Sequence, residues 1–432
     1  HRAAELGVNA SVNGIDFGTL RDYRLRVVKT MVGGLAGLLA HRGITVFRAN
    51  AAFHADETAP ATSNHIVHLV PSPDQSDILT YHKADVPEPS GPTMDLTATN
   101  IVIATGAKPR PLPGNPFAGA LIDSTQALEV NEFPSSAVII GAGAIALEFA
   151  SMWNAAGSKV TLLIRKDRVL SAWDRRAGTT LTRELKRHGV NIITRASVTH
   201  VDTGANLGAT VHYTCEGQDG EQSVWGEIAL VAIGRDPITD PAWGVTIDDH
   251  GHVATDAYGR TDKPGVWAVG DVTAGHALAH RAFEQGIVIA ETIAGLNPKP
   301  VDEATVPQIV FSFPEAASVG LTVEQAQARE DLIEIKETNY PMLANARMLM
   351  SGTAGSLTIV SGCDAANPDT PRVLGVHMVS QMASDIIAEA EQLVGNHVPL
   401  ADAARLVHPH PTFSETLGEA LLKADGRPLH TR

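Results

Sequence analysis

The chain has 432 residues, of which 44% are hydrophobic and 19% are charged, and its formal net charge is −15. This composition is typical of a soluble globular protein with two to four domains; the acidic balance speaks against nucleic-acid binding, and no apolar run reaches the length of a membrane span. The two cysteines, Cys215 and Cys363, are far apart in polar strand-end or loop contexts, so a disulfide scaffold is excluded and a reducing, cytoplasmic setting is expected.

The N-terminal region predicts one helix followed by short strands. Apolar side chains recur at helical spacing over residues 20–42, and a strand is expected at 44–47. Residues 54–98 are polar and rich in proline and serine, which favours a β-meander with long loops. Residues 97–106 predict a buried strand that closes on a glycine turn at Thr105 and Gly106.

The most informative stretch begins at residue 137. The apolar run 137–140 leads into Gly141 and Gly143, and a helical pattern and a second strand follow. This order predicts a β-α-β dinucleotide site, with Gly141 for the tight turn, Gly143 for close approach of a pyrophosphate and Ala146 for helix–strand packing. The phosphates are expected at the N-terminus of the helix, where unpaired N–H groups and the helix dipole favour anions.

The residues after the second strand bear on the choice of nicotinamide. Sites for NAD usually carry an acidic residue about 20 positions past the glycines, and here that position holds Ile164. Arg165, Lys166 and Arg168 follow, and such a cationic cluster suits the 2′-phosphate of NADP. A solvated basic turn is the alternative interpretation.

Two later strands end in the same manner as the one before Gly106. Residues 228–232 stop at Gly234 and Arg235, and residues 265–269 stop at Gly270 and Asp271. A helix is expected to begin within 277–282 and to end before Gly295.

Beyond residue 305 strand-like and helical runs alternate, which indicates an α+β domain. Strands are expected at 308–313, 317–320, 356–360 and 373–379, and helices at 322–329 and 382–395. The tail carries His408-Pro-His410-Pro-Thr-Phe-Ser-Glu415, followed by a helical run over 416–424.

This ordered set of motifs resembles the flavin disulfide reductases over nearly the whole chain, and most closely their dihydrolipoamide dehydrogenase branch. The branch is suggested by the doubled histidine of the tail, and by the stretches at 345–347 and 375–380. The resemblance implies that Asp271 binds the FAD ribityl chain, that His280 lies near the isoalloxazine, and that Glu148 pairs with a lysine beside flavin N5. It also implies that His410 is the acid/base for dithiol exchange, oriented by Glu415 and supplied to the active site of the other subunit. Thr105, Gly106, Gly234, Arg235 and Gly270 complete the expected cofactor contacts.

Two features depart from that family pattern. The N-terminal FAD fingerprint, the Cys-x4-Cys redox pair and the lysine partner of Glu148 are not in the printed sequence, and we expect them in a preceding segment. Ala146 and Arg165 resemble the NADPH-using branch of the family, so the sequence leaves both NAD and NADP open.

The sequence therefore predicts an α/β fold with two Rossmann-like dinucleotide-binding domains in three layers and a C-terminal α+β dimerisation domain. The expected divisions are an FAD-binding domain (1–117), an NAD(P)-binding domain (118–243), a return to the FAD or central domain (244–304) and an interface domain (305–432).

The expected function is FAD-dependent electron transfer in a homodimer. Electrons pass between a dithiol/disulfide substrate, either small or carried on a lipoyl domain, and NAD or NADP. Alternatives are an NADPH-dependent disulfide or quinone reductase of the same fold and a non-catalytic dimerisation module. No metal, nucleic-acid or membrane partner is expected.

Overall fold

The structure is a computed structural model that describes residues 4–11, 13–54, 64–83, 87–204 and 208–431. Parts of the expected meander, 55–63 and 84–86, lie outside the described residues. None of the helices in the described ranges has both the length and the apolar character needed to cross a bilayer.

The described residues of the N-terminal region form a short 3-10 helix (Ala4–Leu6), one long helix and eight short strands. The helix is α1 (Phe17–His41), and the strands are β1 (Val46–Arg48), β2 (Asn50–Phe53), β3 (His65–Val70), β4 (Leu79–Tyr81), β5 (Pro87–Pro89), β6 (Met94–Ala98), β7 (Ile101–Ile103) and β8 (Ala107–Pro109). The strands form two three-stranded antiparallel sheets, β1-β4-β5 and β2-β3-β6. The strands expected over 54–98 are present, but they are divided between these two sheets and include β1 and β2 as partners, so the predicted meander order is wrong.

Helix α1 confirms the helical spacing but not burial of the apolar positions. Asp16 caps its first turn by accepting the Thr19 amide at 3.0 Å. No residue of α1 is buried, and Met31 is 69% exposed. The periodicity of apolar residues thus predicted the helix correctly, but it did not show which surface packs against its apolar side chains.

The predicted continuous strand over 97–106 is wrong. The chain bends between β6 and β7, where Asn100 accepts a hydrogen bond from the Trp267 indole at 3.0 Å. Strand β7 then pairs with a strand far along the sequence, and of its three residues Ile103 alone is buried.

The central part of the chain forms a parallel sheet and an antiparallel one. Its elements are β9 (Leu121–Ile122), α2 (Ser124–Leu128), β10 (Ser136–Ile140), α3 (Ala144–Ala155), β11 (Lys159–Leu163), α4 (Arg175–Arg187), β12 (Asn191–Ile193), β13 (Ala196–Asp202), β14 (Ala209–Cys215), β15 (Gln222–Gly226), β16 (Ile228–Val231) and β17 (Arg235–Pro237). The parallel sheet has the order β12-β11-β10-β16-β9, and β13-β14-β15 is the antiparallel sheet.

Both faces of the parallel sheet are covered, which produces three layers. Leu147, Trp153 and Leu181 from α3 and α4 pack on one face, and Val211 and Tyr213 from the antiparallel sheet pack on the other. Strand β10 can be apolar from Ala137 to Ile140 because neither of its faces meets water there.

The chain then returns to the N-terminal region. Strand β18 (Val266–Ala268) pairs in parallel with β7, and helix α5 (Ala279–Ile293) follows. This helix lies within the predicted range, and the chain turns away just after it at Gly295, whose φ of +78° suits glycine.

The C-terminal part is a five-stranded antiparallel sheet with helices, as the expected α+β class requires. Its elements are β19 (Gln308–Val310), β20 (Glu315–Gly320), α6 (Val323–Gln327), β21 (Leu332–Pro341), α7 (Ala346–Ser351), β22 (Ser356–Asp364), β23 (Asn367–Ser380), α8 (Ala383–Gly395), α9 (Leu400–Ala403) and α10 (Glu415–Ala424). The sheet order is β19-β20-β23-β22-β21, and side chains of α8 and α10 share one core with it.

The cysteines lie near strand ends, as expected, but in buried rather than polar surroundings. Cys215 is the last residue of β14 and Cys363 the last but one of β22, and both are buried. Burial raises the pKa of the Cys363 thiol, which makes a reactive thiolate still less accessible.

Candidate active site

The turn between β10 and α3 has the geometry that the glycine fingerprint requires. Gly141 has a φ of +141°, and a Cβ there would lie 2.2 Å from the carbonyl oxygen of Ala232. Ala146 is fully buried, with its Cβ 3.5 Å from that same position. Only glycine fits at residue 141, and a small residue at 146 allows the helix to approach the strand.

Gly143 leaves the N-terminus of α3 open. It is the N-cap of the helix without a side-chain cap, and nothing lies within 4 Å of the position its Cβ would take. The first amides of α3 thus have no side-chain cap, and together with the helix dipole they suit the pyrophosphate of a dinucleotide.

The three cations after β11 are not equivalent. Arg165 and Lys166 are exposed, whereas the Arg168 side chain is 15% exposed and donates to Asp167 at 3.3 Å and to the Ser171 carbonyl at 3.1 Å. Two cations of the predicted cluster, rather than three, are thus accessible to a phosphate.

The glycine turns at Gly106 and Gly234 lie at opposite ends of one two-stranded ribbon. Strands β8 and β17, which follow them, form a two-stranded antiparallel ribbon. The Arg110 amide donates to the Gly234 carbonyl at 3.1 Å, and the Ile238 amide donates to the Gly106 carbonyl at 2.9 Å. The two repeated glycine turns thus begin the two strands of one ribbon, which the chain enters after β7 and again after β16.

Side chains of two predicted cofactor residues hold this ribbon together. The Thr105 hydroxyl donates to the Ile238 carbonyl at 2.6 Å, and the Arg235 guanidinium donates to the Ala107 carbonyl. Gly106 itself has a φ of +70° and open space around the position of a Cβ.

Asp271 lies at the end of β18, next to the end of β7. Since these two strands are parallel, their carboxyl ends meet at one edge, which is where ligands bind in open α/β sheets. Gly270 has a φ of +76° and its amide donates to Gln285 at 2.9 Å, while Asp271 is half-buried in the turn that follows. A carboxylate and a bare glycine turn at this edge fit a polyol-bearing dinucleotide such as FAD.

His280 and its neighbour Arg281 have different roles in the first turn of α5. His280 is exposed and its Nε2 donates to the Pro307 carbonyl at 2.7 Å. Arg281 is 3% exposed, pairs with Glu303 at 2.5 Å and also donates to the Ala274 carbonyl. Sequence reasoning missed Arg281, which fastens the loop that follows Asp271; no sequence signal separates it from an ordinary surface arginine.

Glu148 connects α3 to the C-terminal domain. Its Oε1 accepts the Phe311 amide at 3.0 Å, and Ser151, one turn further along, accepts the Phe313 amide at 2.9 Å. In the described structure the partner of Glu148 is thus a backbone amide at the end of β19.

His410, which precedes α10, forms a hydrogen-bonded pair with Glu415, the first residue of that helix. His410 Nδ1 lies 2.8 Å from Glu415 Oε1, and Glu415 Oε2 accepts the Thr412 amide at 2.7 Å. The His410 side chain is 76% exposed and that of Glu415 is 18% exposed. Because a carboxylate only accepts, Nδ1 carries the hydrogen and Nε2 is left as an acceptor at the exposed edge.

The Glu415 carboxylate is stabilised in its ionised form. Partial burial by itself raises the pKa of Glu415, but the hydrogen bonds from His410 and the Thr412 amide outweigh it and lower this pKa below its usual value. A carboxylate at the first turn of a helix also interacts favourably with the helix dipole.

Comparison with known proteins gives the same assignment for most of the chain. Residues 4–286 match the family model described as pyridine nucleotide-disulphide oxidoreductase, and residues 306–421 match the dimerisation domain of that family. A dihydrolipoyl dehydrogenase from Geobacillus stearothermophilus is 31% identical over 431 residues, which cover 99% of this chain and 84% of the relative. Another from Cupriavidus necator is 38% identical over 341 residues, covering 78% of this chain and 70% of the relative.

Among solved structures, the crystal structure of LpdA from Mycobacterium tuberculosis shares the fold. It superimposes with a TM-score of 0.82 at 24% identity, over 98% of this chain and 86% of that one. The family match and the identity to curated relatives lead to one conclusion: the chain belongs to the pyridine nucleotide-disulphide oxidoreductases.

Proposed function

We propose that the protein is an FAD-dependent oxidoreductase that transfers electrons between a dithiol/disulfide substrate, dihydrolipoamide above all, and NAD(P). The observation that carries the proposal is the His410–Glu415 pair, which leaves one imidazole nitrogen exposed as a base. Relatives named dihydrolipoyl dehydrogenase that align with 99% of this chain support the choice of substrate.

His410 would take the proton of the substrate thiol at Nε2. The thiolate, and not the thiol, is the nucleophile in disulfide exchange. Glu415 holds the ring in the required tautomer and faces the imidazolium that forms, so it orients the base rather than accepting the proton itself. When bound, FAD supplies the redox chemistry, and the protein contributes binding, orientation and proton transfer.

The predicted cofactor residues fall into two groups that suit this function. Asp271 and the open turn at Gly106 would hold FAD at the joined ends of β7 and β18. Gly141, Gly143 and the N-terminus of α3 would hold the pyrophosphate of the nicotinamide nucleotide. The same grouping supports the division of the chain into FAD-binding, NAD(P)-binding, central and interface parts.

We also propose a homodimer built by residues 305–432. The match of 306–421 to the dimerisation domain of the family supports it. The high exposure of His410 is what a base delivered to the partner subunit would need, because a side chain buried in its own subunit could not reach a substrate there.

The test uses the protein loaded with FAD. His410→Gln should slow dihydrolipoamide oxidation by roughly 10²–10⁴-fold, the usual contribution of general acid–base catalysis. Electron transfer from the reduced nicotinamide to a quinone should be spared, because it needs no thiol base. His408→Gln is the matched control and should do much less. Equal losses in both variants would contradict the proposal.

The nicotinamide preference is a separate proposal, that Arg165 and Lys166 bind the 2′-phosphate of NADP. Their exposure supports it, and one charge-assisted contact of about 1.5–3 kcal/mol shifts preference about tenfold or more. Arg165→Glu should therefore lower kcat/KM for NADPH and raise it for NADH. An unchanged ratio would mean that the cluster is a solvated basic turn.

A further inference from the structure

The outer face of the β13-β14-β15 sheet carries two histidines in direct contact. His200 and His212 are opposite each other in the antiparallel register of β13 and β14. Their rings are stacked, with centroids 4.0 Å apart and planes within 8° of parallel. Both side chains are partly accessible, at 46% and 22% exposure.

A β-bulge brings this pair together. The register shifts between Val198 and His200, so that Thr199 and His200 both oppose His212. Val211 and Tyr213, the neighbours of His212, are buried against the parallel sheet, which leaves His212 on the outer side. Bulges commonly re-aim a side chain, and here the bulge places a second imidazole beside the first.

Carboxylates lie at both edges of the stacked rings. At the Nδ1 edge, Glu221 oxygens are 3.8 Å from His200 and 3.6 Å from His212. At the Nε2 edge, an Asp202 oxygen is 3.9 Å from His200 and 3.1 Å from His212. The imidazoles are thus held between two acceptors.

We propose that His200 Nδ1, His212 Nδ1 and the Glu221 carboxylate bind a divalent transition-metal ion such as Zn²⁺ or Cu²⁺. Their ligand atoms all lie within 4.8 Å of one another. Tetrahedral zinc with bonds of about 2.0–2.2 Å needs ligand atoms about 3.4 Å apart. Closing the site therefore requires side-chain movements of up to about 1.4 Å and a tilt of the two stacked rings, so that both Nδ1 lone pairs point at the metal.

The surroundings of the three ligands are those of a metal site. A ligating histidine usually donates its other ring N–H to a carboxylate, and Asp202 stands at the Nε2 edge of both rings. A ligating carboxylate is usually hydrogen-bonded as well, and the Thr199 hydroxyl donates to Glu221 at 2.6 Å. A chance surface pair of histidines would not need this second layer of partners.

The ligand set determines the class of metal. Two imidazoles and one carboxylate suit Zn²⁺, Cu²⁺ or Ni²⁺, whereas Mg²⁺ and Ca²⁺ prefer oxygen ligands alone. The exposure of the site leaves room for water to complete the coordination. None of its residues belongs to the cofactor or acid/base groups described above, so the proposal does not depend on the redox function.

The test is a calorimetric titration of tag-free protein with Zn²⁺. His212→Asn and Glu221→Gln should weaken binding at this site at least about tenfold, and Thr199→Val roughly 10–100-fold, as loss of an outer partner does. The matched control is His68→Asn, which removes a single exposed imidazole that lies 2.6 Å from Asp95. Binding that falls equally in His68→Asn and His212→Asn would overturn the proposal.

Two measurements on the unchanged protein keep the test independent of variant folding. One equivalent of Cu²⁺ should give an electron paramagnetic resonance spectrum with coupling to two imidazole nitrogens; coupling to one or none would overturn the proposal. Zn²⁺, but not Mg²⁺, should raise the melting temperature in a concentration-dependent manner, because a ligand that binds the folded state stabilises it by mass action. Equal shifts with both ions would also refute it.

Discussion

Two histidines that stand two residues apart, His408 and His410, each lie 2.8 Å from a glutamate oxygen, yet their surroundings are opposite. The His408 side chain is 9% exposed and meets Glu389 through Nε2. The His410 side chain is 76% exposed and meets Glu415 through Nδ1. Both histidines thus form a carboxylate pair at ideal distance, and such a pair alone does not identify a base.

The difference lies in the nitrogen that remains. Nδ1 of His408 lies against α10, so close that a Cβ on Gly418 would be 2.3 Å away, and no substrate could reach it. Nε2 of His410 lies at an exposed edge. His408 is consequently suited to fix the tail against α8 and α10, and His410 to exchange protons with a substrate.

The largest expected effect that separates the two pairs comes from their glutamates. Glu415→Gln removes the charge facing the imidazolium and should lower the rate of dithiol oxidation on the order of 10²-fold. Glu389→Gln is the matched control, since it makes the same change beside a histidine with no access to substrate, and its rate should stay near that of the wild type. Steady-state kinetics of both variants measures the difference. Similar losses of rate in both variants would show that the two histidine–glutamate pairs are functionally equivalent.

A smaller effect is expected from filling the space beside His408. Gly418→Ala places a methyl group against the ring and should destabilise the protein by about 1–3 kcal/mol, the cost of overpacking. Gly286→Ala in α5 is the control, because nothing lies within 4 Å of its Cβ position, and it should be neutral or slightly stabilising. Urea unfolding measures both. A Gly418→Ala variant as stable as wild type would show that His408 is loosely held.

The parts of the fold that the sequence predicted are those whose contacts are local. The unit from β10 through α3 to β11 is one continuous stretch, and the positive φ of Gly141 follows from its place between strand and helix. The pair His410–Glu415 was expected from the family resemblance, and its five-residue spacing matches the turn that leads into α10.

The parts that the sequence could not predict depend on residues far apart in the chain. The break after β6 follows from pairing of β7 with β18, more than 160 residues later. Strand β21 lies at the edge of its sheet, where buried and exposed side chains alternate only weakly. Its amino-acid sequence therefore did not indicate a strand. The His200–His212 cluster needs a bulge to form, and a spacing of twelve residues matches no metal motif.

The smallest expected effect concerns the pH dependence of stability, where the two pairs should act in opposite directions. The hydrogen bond to Glu389 outweighs burial and raises the pKa of His408, so this pair stabilises the fold fully below the ordinary histidine pKa of about 6.5. That stabilisation is lost as the pH rises through the raised value. The lowered pKa of Glu415 has the opposite consequence: its contribution is present above the ordinary glutamate value of about 4.3 and is lost as the pH falls through the folded value.

The measurement is the free energy of unfolding of each variant and of the wild type, at fixed protein concentration across this pH range. The stability deficit of His408→Gln relative to the wild type should shrink toward alkaline pH. The deficit of Glu415→Gln should shrink toward acid pH. Deficits that stay constant with pH would mean that each side chain contributes through packing and neutral hydrogen bonds, and not through its charge.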